Sequence, residues 1–172
     1  MDEINSVIYS APVVEFVAVA KEFCLFLTQS EELSQKEFID KLQKFIPLLY
    51  LKGSMLPYVD SYNDDECEDF VTEEEYNALY AQVKAKMGEY DDYLEIFDPT
   101  DGYMDEPSVR TISEKVSDIY QDIKNFVQAY RSGVESVMSE ALWVLNNNFE
   151  LYWGRACVDV LRAVHTAKYS SY

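Results

Sequence analysis

The stretch "EPSVRTISEKVSDIYQDIKNFVQAYRSG", residues 106–133, decides the fold, because its apolar residues recur at alternating spacings of three and four. That spacing is the heptad pattern of a helix that buries one continuous seam in a bundle. The seam consists of Val109, Ile112, Val116, Ile119, Ile123, Phe126 and Tyr130. The sequence therefore predicts a helix here that packs against several others.

The segments before this stretch also have helical periodicity. A first helix is predicted over about residues 11–28, with Pro12 tolerated in its first turn. A second begins at the capping box of Ser34 and Glu37, and we expect it to kink or end near Pro47. Residues 53–71 are acidic and lack periodicity, which predicts a loop.

The remaining helices are delimited in the same way. Thr72 starts a third helix that ends near Gly88, and Gly133 precedes a last helix over about residues 135–168. We expect the last helix to turn one stripe inward, formed by Leu142, Leu145, Phe149, Trp153, Ala156, Val160 and Val164. The prediction is an all-α bundle of about five helices with a long C-terminal helix and no strand, folded as one domain over residues 1–172.

Charge limits the partners that the protein can have. The net charge is -18, and residues 60–106 contain seventeen acids and two lysines, so they carry -15 of it. Such a surface repels phosphates, which excludes nucleic acids and anionic membranes as partners. The most apolar stretch, residues 13–27, is broken by Glu15, Lys21 and Glu22, so no membrane span is expected.

The cellular location follows from cysteine usage and from the first residues. The three cysteines lie far apart and match neither a disulfide framework nor a metal knuckle. Residues 1–14 have acids before their apolar stretch, which is wrong for a secretory signal. We therefore expect a cytoplasmic protein.

The common catalytic motifs are missing. His165 is the single histidine, no glycine-rich phosphate loop or GxSxG elbow occurs, and the acidic loops lack the ligand spacing of a calcium loop. We therefore expect no enzyme of the commonest kinds, no cofactor and no metal.

A ladder of charges on the last helix is the first candidate site. Arg155, Asp159 and Arg162 lie four and three residues apart and share one face. Asp118 and Asp122 on the fourth helix are a like-charged pair four apart, so Arg155 and Arg162 are their natural partners. The alternative is that these residues form structural ion pairs between helices or simply lie on solvated helix faces.

Glu150 extends this cluster. Helical projection places it beside the apolar stripe, near Gly154, with Asn146 towards the core and His165 at the edge of the same face. A carboxylate in that position needs a donor or a proton. A glycine in the middle of a helix suggests a close approach of another segment or room for a ligand. The alternative is a satisfied buried network.

Three blocks of the chain resemble a known family. They are "EYDDYLEIFDP", "SDIYQDIK" and "YWGRACVDVLRAVH", at residues 89–99, 117–124 and 152–165. They resemble the domain of unknown function 5063 family of uncharacterised bacterial proteins, over nearly the whole chain. The family pattern has an aromatic residue where this chain has Leu94, and often a histidine where it has Tyr152. The resemblance implies a small helical bacterial protein and no particular activity, substrate or cofactor.

Two functional hypotheses follow. In the first, the protein is a non-enzymatic interaction module that binds a basic protein partner through an acidic surface, whose candidate residues are Asp64, Asp65, Asp91, Asp92, Asp98 and Asp101. In the second, it binds a small ligand or a metal at a polar cluster between the fourth and last helices, formed by Asp118, Asp122, Glu150, Arg155, Asp159, Arg162 and His165. The sequence assigns no oligomeric state.

Overall fold

The computed structural model describes residues 7–61, 67–95 and 107–170, and it confirms the all-α prediction. Within these ranges the main elements are α1 (Ala11–Thr28), α2 (Gln35–Ser54), α3 (Glu73–Met87), β1 (Asp92–Leu94), β2 (Val109–Thr111), α4 (Ile112–Arg131) and α5. The long helix α5 comprises an N-terminal half (Glu135–Asn148), a π-helical turn (Phe149–Trp153) and a C-terminal half (Gly154–Tyr169). Across the described ranges, every helix is too short or too polar to cross a membrane.

The helix α4 lies at the centre of the bundle, where it packs against α1, α3 and both halves of α5. Its predicted seam is confirmed from Ile112 to Phe126, since these five apolar side chains are almost fully buried. Val109 is an exception, because the helix begins only at Ile112 and Val109 lies exposed in β2. The heptad pattern therefore identified the helix on which the others assemble.

A small sheet that the sequence did not predict precedes α4. Strands β1 and β2 pair antiparallel, with Asp92 opposite Thr111. Each strand has three residues, too few for an alternating pattern to be recognised. Beside the sheet, the carboxylate of Asp91 accepts hydrogen bonds from the backbone N–H of Ser113 at 2.8 Å and from its hydroxyl at 2.7 Å. Asp91 thereby fixes the first turn of α4.

The second helix was expected to kink or end near Pro47, and it does not end there. Helix α2 continues through Pro47 to Ser54, so residues 53 and 54 are helical rather than part of a loop. Proline removes one backbone hydrogen bond, but Ile46 and Leu49 on either side of it are fully buried. Burial of the same face before and after the proline stabilises the helix across it.

Close packing between α2 and the π turn of α5 depends on two glycines. A Cβ atom at Gly53 would lie 2.4 Å from the indole ring of Trp153, and a Cβ atom at Gly154 would lie 2.4 Å from the carbonyl oxygen of Phe149. The indole N–H of Trp153 donates to the carbonyl oxygen of Leu145 at 3.0 Å. Glycine therefore allows α2 to approach Trp153 and allows the wider turn of α5 to form.

We predict that Gly53→Ala destabilises the protein by about 1–3 kcal/mol, because the added methyl group overlaps the indole ring of Trp153. The free energy of unfolding, measured by urea denaturation, tests this. Ser54→Ala on the exposed side of the same turn is the control and should change little. A Gly53→Ala variant as stable as the unmodified protein would contradict the packing described here.

Candidate ligand-binding cavity

A cavity of about 360 Å³ lies between α4, the N-terminal half of α5 and the segment of residues 67–70. This volume is at the lower end of the range for small-ligand pockets, about 300–1,000 Å³. We call it the acidic cavity, and it is lined by Cys67, Glu68, Asp69, Phe70, Asp122, Asn125, Phe126, Ala129, Ser136, Val137, Glu140, Ala141, Val144, Leu145 and Asn148.

Asn125 of α4 holds one wall of the acidic cavity in place. Its side-chain carbonyl oxygen accepts hydrogen bonds from the backbone N–H groups of Phe70 and Val71, each at 2.9 Å. Its amide group donates to the carboxylate of Asp69 at 3.3 Å. Three hydrogen bonds to one side chain thus attach residues 69–71 to the central helix.

Two carboxylates lie deep in the acidic cavity, on facing helices. Asp122 of α4 accepts a hydrogen bond from the amide of Asn148 at 3.0 Å. Glu140 of α5 is only 9% exposed and accepts from the hydroxyl of Ser61, at 3.0 and 3.3 Å to its two oxygens. Both donors are neutral, so neither removes the negative charge.

The mouth of the acidic cavity is formed by its exposed lining residues, Glu68, Asp69, Phe70, Ser136 and Val137. Two further carboxylates therefore lie at the entrance, above the deep pair. The deeper walls include the apolar side chains of Phe126, Ala141 and Leu145, all of them buried. The acidic cavity thus combines an apolar interior with four carboxylates.

Burial raises the pKa of Asp122 to about 6. The hydrogen bond from Asn148 lowers the pKa, while the nearby charges of Asp118 and Asp69 raise it. Burial also raises the pKa of the Cys67 thiol, with Glu140 and Asp69 adding to the effect. Cys67 therefore stays protonated at neutral pH and lacks the thiolate that a nucleophile needs.

Among the residues that the structure describes, no lysine, arginine or histidine lines the acidic cavity. The sequence has none of these residues at positions 53–83 or 132–154, the two stretches that supply the walls facing α4. The carboxylates can thus be neutralised locally by a proton or by a cation from outside. Within the ranges that the structure describes, no group of three or more histidine, cysteine or acidic side chains is placed to hold a metal ion.

The polar cluster selected from the sequence is divided between different places in the structure. Asp118 accepts a hydrogen bond from the hydroxyl of Tyr76 at 2.7 Å, and Asp122 faces the acidic cavity. The expectation that Arg155 and Arg162 are their partners is therefore corrected, because Tyr76 and Asn148 take that role. The sequence spacing was compatible with both arrangements, and the packing of α3 and α5 on α4 decides between them.

The charged residues on the C-terminal half of α5 are not part of the lining of the acidic cavity. Arg162 donates to the backbone carbonyl oxygen of Leu94, and its guanidinium group lies 5.9 Å from the ring centroid of Tyr93. Asp159 is half-buried, and burial raises its pKa while the positive charge of Lys115 opposes the shift. These residues connect α5 to the small sheet rather than to the acidic cavity.

His165 and Glu150 are exposed. The His165 ring packs against Tyr169, with ring centroids 4.7 Å apart. Glu150 lies in the π turn, where helical projection at 3.6 residues per turn fails, and with Arg155 it lines a second, more open depression. Asn146 donates to the carbonyl oxygen of Pro57 at 2.8 Å. Glu150 thus shares a depression with Arg155, whereas Asp122 lines the acidic cavity and Asp118 and Arg162 bond to Tyr76 and Leu94.

The predicted acidic surface is corrected at one position. Asp91 is 4% exposed and caps α4, so it cannot contribute to a surface, whereas Asp92 is exposed. The remaining members, Asp64, Asp65, Asp98 and Asp101, lie outside the described residues.

Sequence reasoning missed Glu140, Asn125 and Asn148. Their role depends on contacts with residues far away in the chain, such as the hydrogen bond between Ser61 and Glu140. One signal was present in the sequence, namely the two long stretches without lysine or arginine that meet at the acidic cavity.

The fold and the cavity define a small helical-bundle protein with an acidic pocket of ligand size. Residues 7–170 match the model of the family described as "Domain of unknown function (DUF5063)", and the chain belongs to this family. It is similar to the crystal structure of protein BF1032 from Bacteroides fragilis, with a TM-score of 0.84 and 40% sequence identity, over 95% of this chain and 99% of that one. No curated protein matches the chain.

We predict that Asp122→Asn stabilises the protein at about pH 8 by an amount of the order of 2 kcal/mol. The folded protein binds the Asp122 proton more tightly than the unfolded chain, so ionisation costs stability as the pH rises from about 4 to about 6. Asparagine keeps the acceptor for Asn148 but never ionises. Urea denaturation at about pH 8 and about pH 4 should show a gain at the higher pH only.

The matched control is Glu22→Gln, which removes one exposed carboxylate on α1 and should leave the pH dependence unchanged. If Asp122→Asn lowers the free energy of unfolding at both pH values, the assignment of Asp122 as a destabilising buried carboxylate is wrong.

Proposed function

We propose that this protein is a non-enzymatic interaction module that binds a basic protein partner at the mouth of the acidic cavity. One observation supports this proposal above all: within the described part of the chain, four carboxylates and no positively charged side chain line the cavity and its mouth. Structural carboxylates in folded proteins are usually paired with cations or with several donors. Here the complementary charge is left to a partner.

The mouth offers two kinds of contact. Glu68 and Asp69 are exposed carboxylates, which attract basic segments over a distance and increase the rate of association. Phe70 and Val137 are exposed apolar side chains beside them, and they supply surface that can be buried on binding. This composition favours a partner that has both lysine or arginine side chains and apolar residues.

We place this activity in a bacterial cytoplasm. Cys24, Cys67 and Cys157 are all free thiols, as is usual in a reducing compartment. The similar protein BF1032 comes from the bacterium Bacteroides fragilis. The raised pKa of Cys67 is in keeping with a role in binding rather than in catalysis.

Binding of an octalysine peptide, measured by isothermal titration calorimetry, tests the proposal. We expect binding that weakens steeply as the salt concentration increases, because ions screen the exposed carboxylates. The double variant Glu68→Gln/Asp69→Asn should reduce the affinity about tenfold, since each lost surface charge pair contributes about 0.2–1 kcal/mol.

The control is Glu31→Gln/Glu32→Gln, which removes the same charge from the exposed side chains of Glu31 and Glu32, before α2. It should retain most of the affinity. Equal losses in the two double variants would show that octalysine responds to net charge alone, and would refute the mouth of the acidic cavity as the binding surface.

A further inference from the structure

We infer that the acidic cavity is itself a binding site for a primary alkylammonium group, with the carboxylates of Asp122 and Glu140 as its hydrogen-bond acceptors. This inference takes its location from the proposed function, but it concerns the interior of the cavity rather than its mouth. The same chemistry belongs to a lysine side chain of a protein partner and to a free alkylamine, so the experiment below includes both sources.

The deep carboxylates have acceptor capacity to spare. An ionised carboxylate offers about four lone-pair sites. Among the described residues, Asn148 supplies one hydrogen bond to Asp122, and the Ser61 hydroxyl is shared between the two oxygens of Glu140. A cation in the cavity between the two helices would use some of these remaining acceptor sites.

The walls select an organic cation over a metal ion. A metal needs several oxygen ligands around one point, whereas this cavity has about 360 Å³ of space and apolar side chains such as Phe126, Ala141 and Leu145. An alkyl chain can pack against these side chains while its charged end reaches the carboxylates. The mixture of walls is typical of pockets that hold an amphipathic ligand.

An ammonium group fits this arrangement better than a guanidinium group. Its three N–H donors point in different directions, so one group can donate to carboxylates on two helices at the same time. A planar guanidinium group is suited to two parallel hydrogen bonds with a single carboxylate. Asp122 and Glu140 lie on different walls, on α4 and α5.

The experiment is a calorimetric titration of pentylamine into the full chain at about pH 8, where the amine is protonated because its pKa is close to that of lysine, about 10.4. We expect binding at one site. Asp122→Asn and Glu140→Gln should each weaken it about tenfold or more, since a hydrogen bond to a charged group contributes about 1.5–3 kcal/mol. Glu22→Gln should leave it unchanged.

A further variant, which keeps every carboxylate, tests the site even if Asp122→Asn or Glu140→Gln disturbs the fold. Val144 lines the cavity, and Val144→Phe would fill part of the space that the alkyl chain needs. We expect this variant to lose pentylamine binding while its circular dichroism and thermal unfolding stay close to those of the unmodified protein. Absence of pentylamine binding to the unmodified protein, or equal binding to all variants, would overturn the inference.

The pH provides an independent readout. The charges of Asp118, on the same helix, and of Asp69, on the neighbouring segment, raise the pKa of Asp122. The other charged residues described in the cavity lining, Glu68 and Glu140, are acidic as well. Pentylamine binding should therefore weaken as the pH falls through about 6, when Asp122 takes up a proton. Asp122→Asn should weaken this dependence, and an unchanged pH profile in that variant would contradict the role of Asp122.

Octalysine distinguishes the two sources of the ammonium group. If Val144→Phe weakens octalysine and pentylamine alike, a lysine side chain enters the cavity; if only pentylamine is lost, a free amine is the occupant. Both results support the inference. If octalysine binds in a way that depends on Glu68 and Asp69 but pentylamine does not bind, this inference alone is refuted. If pentylamine binds but octalysine binding does not depend on Glu68 and Asp69, the proposed function alone is refuted.

Discussion

Burial of α4 on several sides is the constraint on which the rest of the structure depends. Its apolar seam requires cover from α1, α3 and both halves of α5, and this brings its polar side chains against each neighbour. Asp118 accepts a hydrogen bond from Tyr76 of α3, and Asp122 accepts one from Asn148 of α5. Asn125 binds the segment that precedes α3. The acidic cavity is thus a consequence of how the central helix is covered.

The acidic cavity departs from the rules that stabilise a core. Apolar side chains of similar volume at Asp122 and Glu140 would avoid the cost of burying two carboxylates that have only neutral donors. Departures of this kind occur at functional sites, where stability is given up for binding. A positively charged group in the cavity would remove this cost, and the proposed binding of a basic partner or an amine rests on this argument.

The sequence predicted the helices where one regular pattern extends over many residues, as in the seam from Ile112 to Phe126. It failed where the geometry departs from that pattern, and Glu150 was misplaced because it lies in the π turn. The sequence could not exclude an end of the second helix at Pro47, because the packing of residues on both sides of the proline is not visible in the sequence. The cavity was not predicted because only the tertiary fold brings Glu140 and Asp122 to the same cavity, although the stretches without lysine or arginine indicated where charge is left unbalanced.

The central claim is that the acidic cavity keeps an unbalanced carboxylate ready for a cation. The most direct test is an NMR titration of the Asp122 side-chain carboxyl carbon, with and without saturating pentylamine. The account predicts a midpoint near pH 6 in the free protein, shifted to lower pH when the amine is bound. A midpoint near the ordinary value of about 3.9 that does not respond to the amine would contradict it.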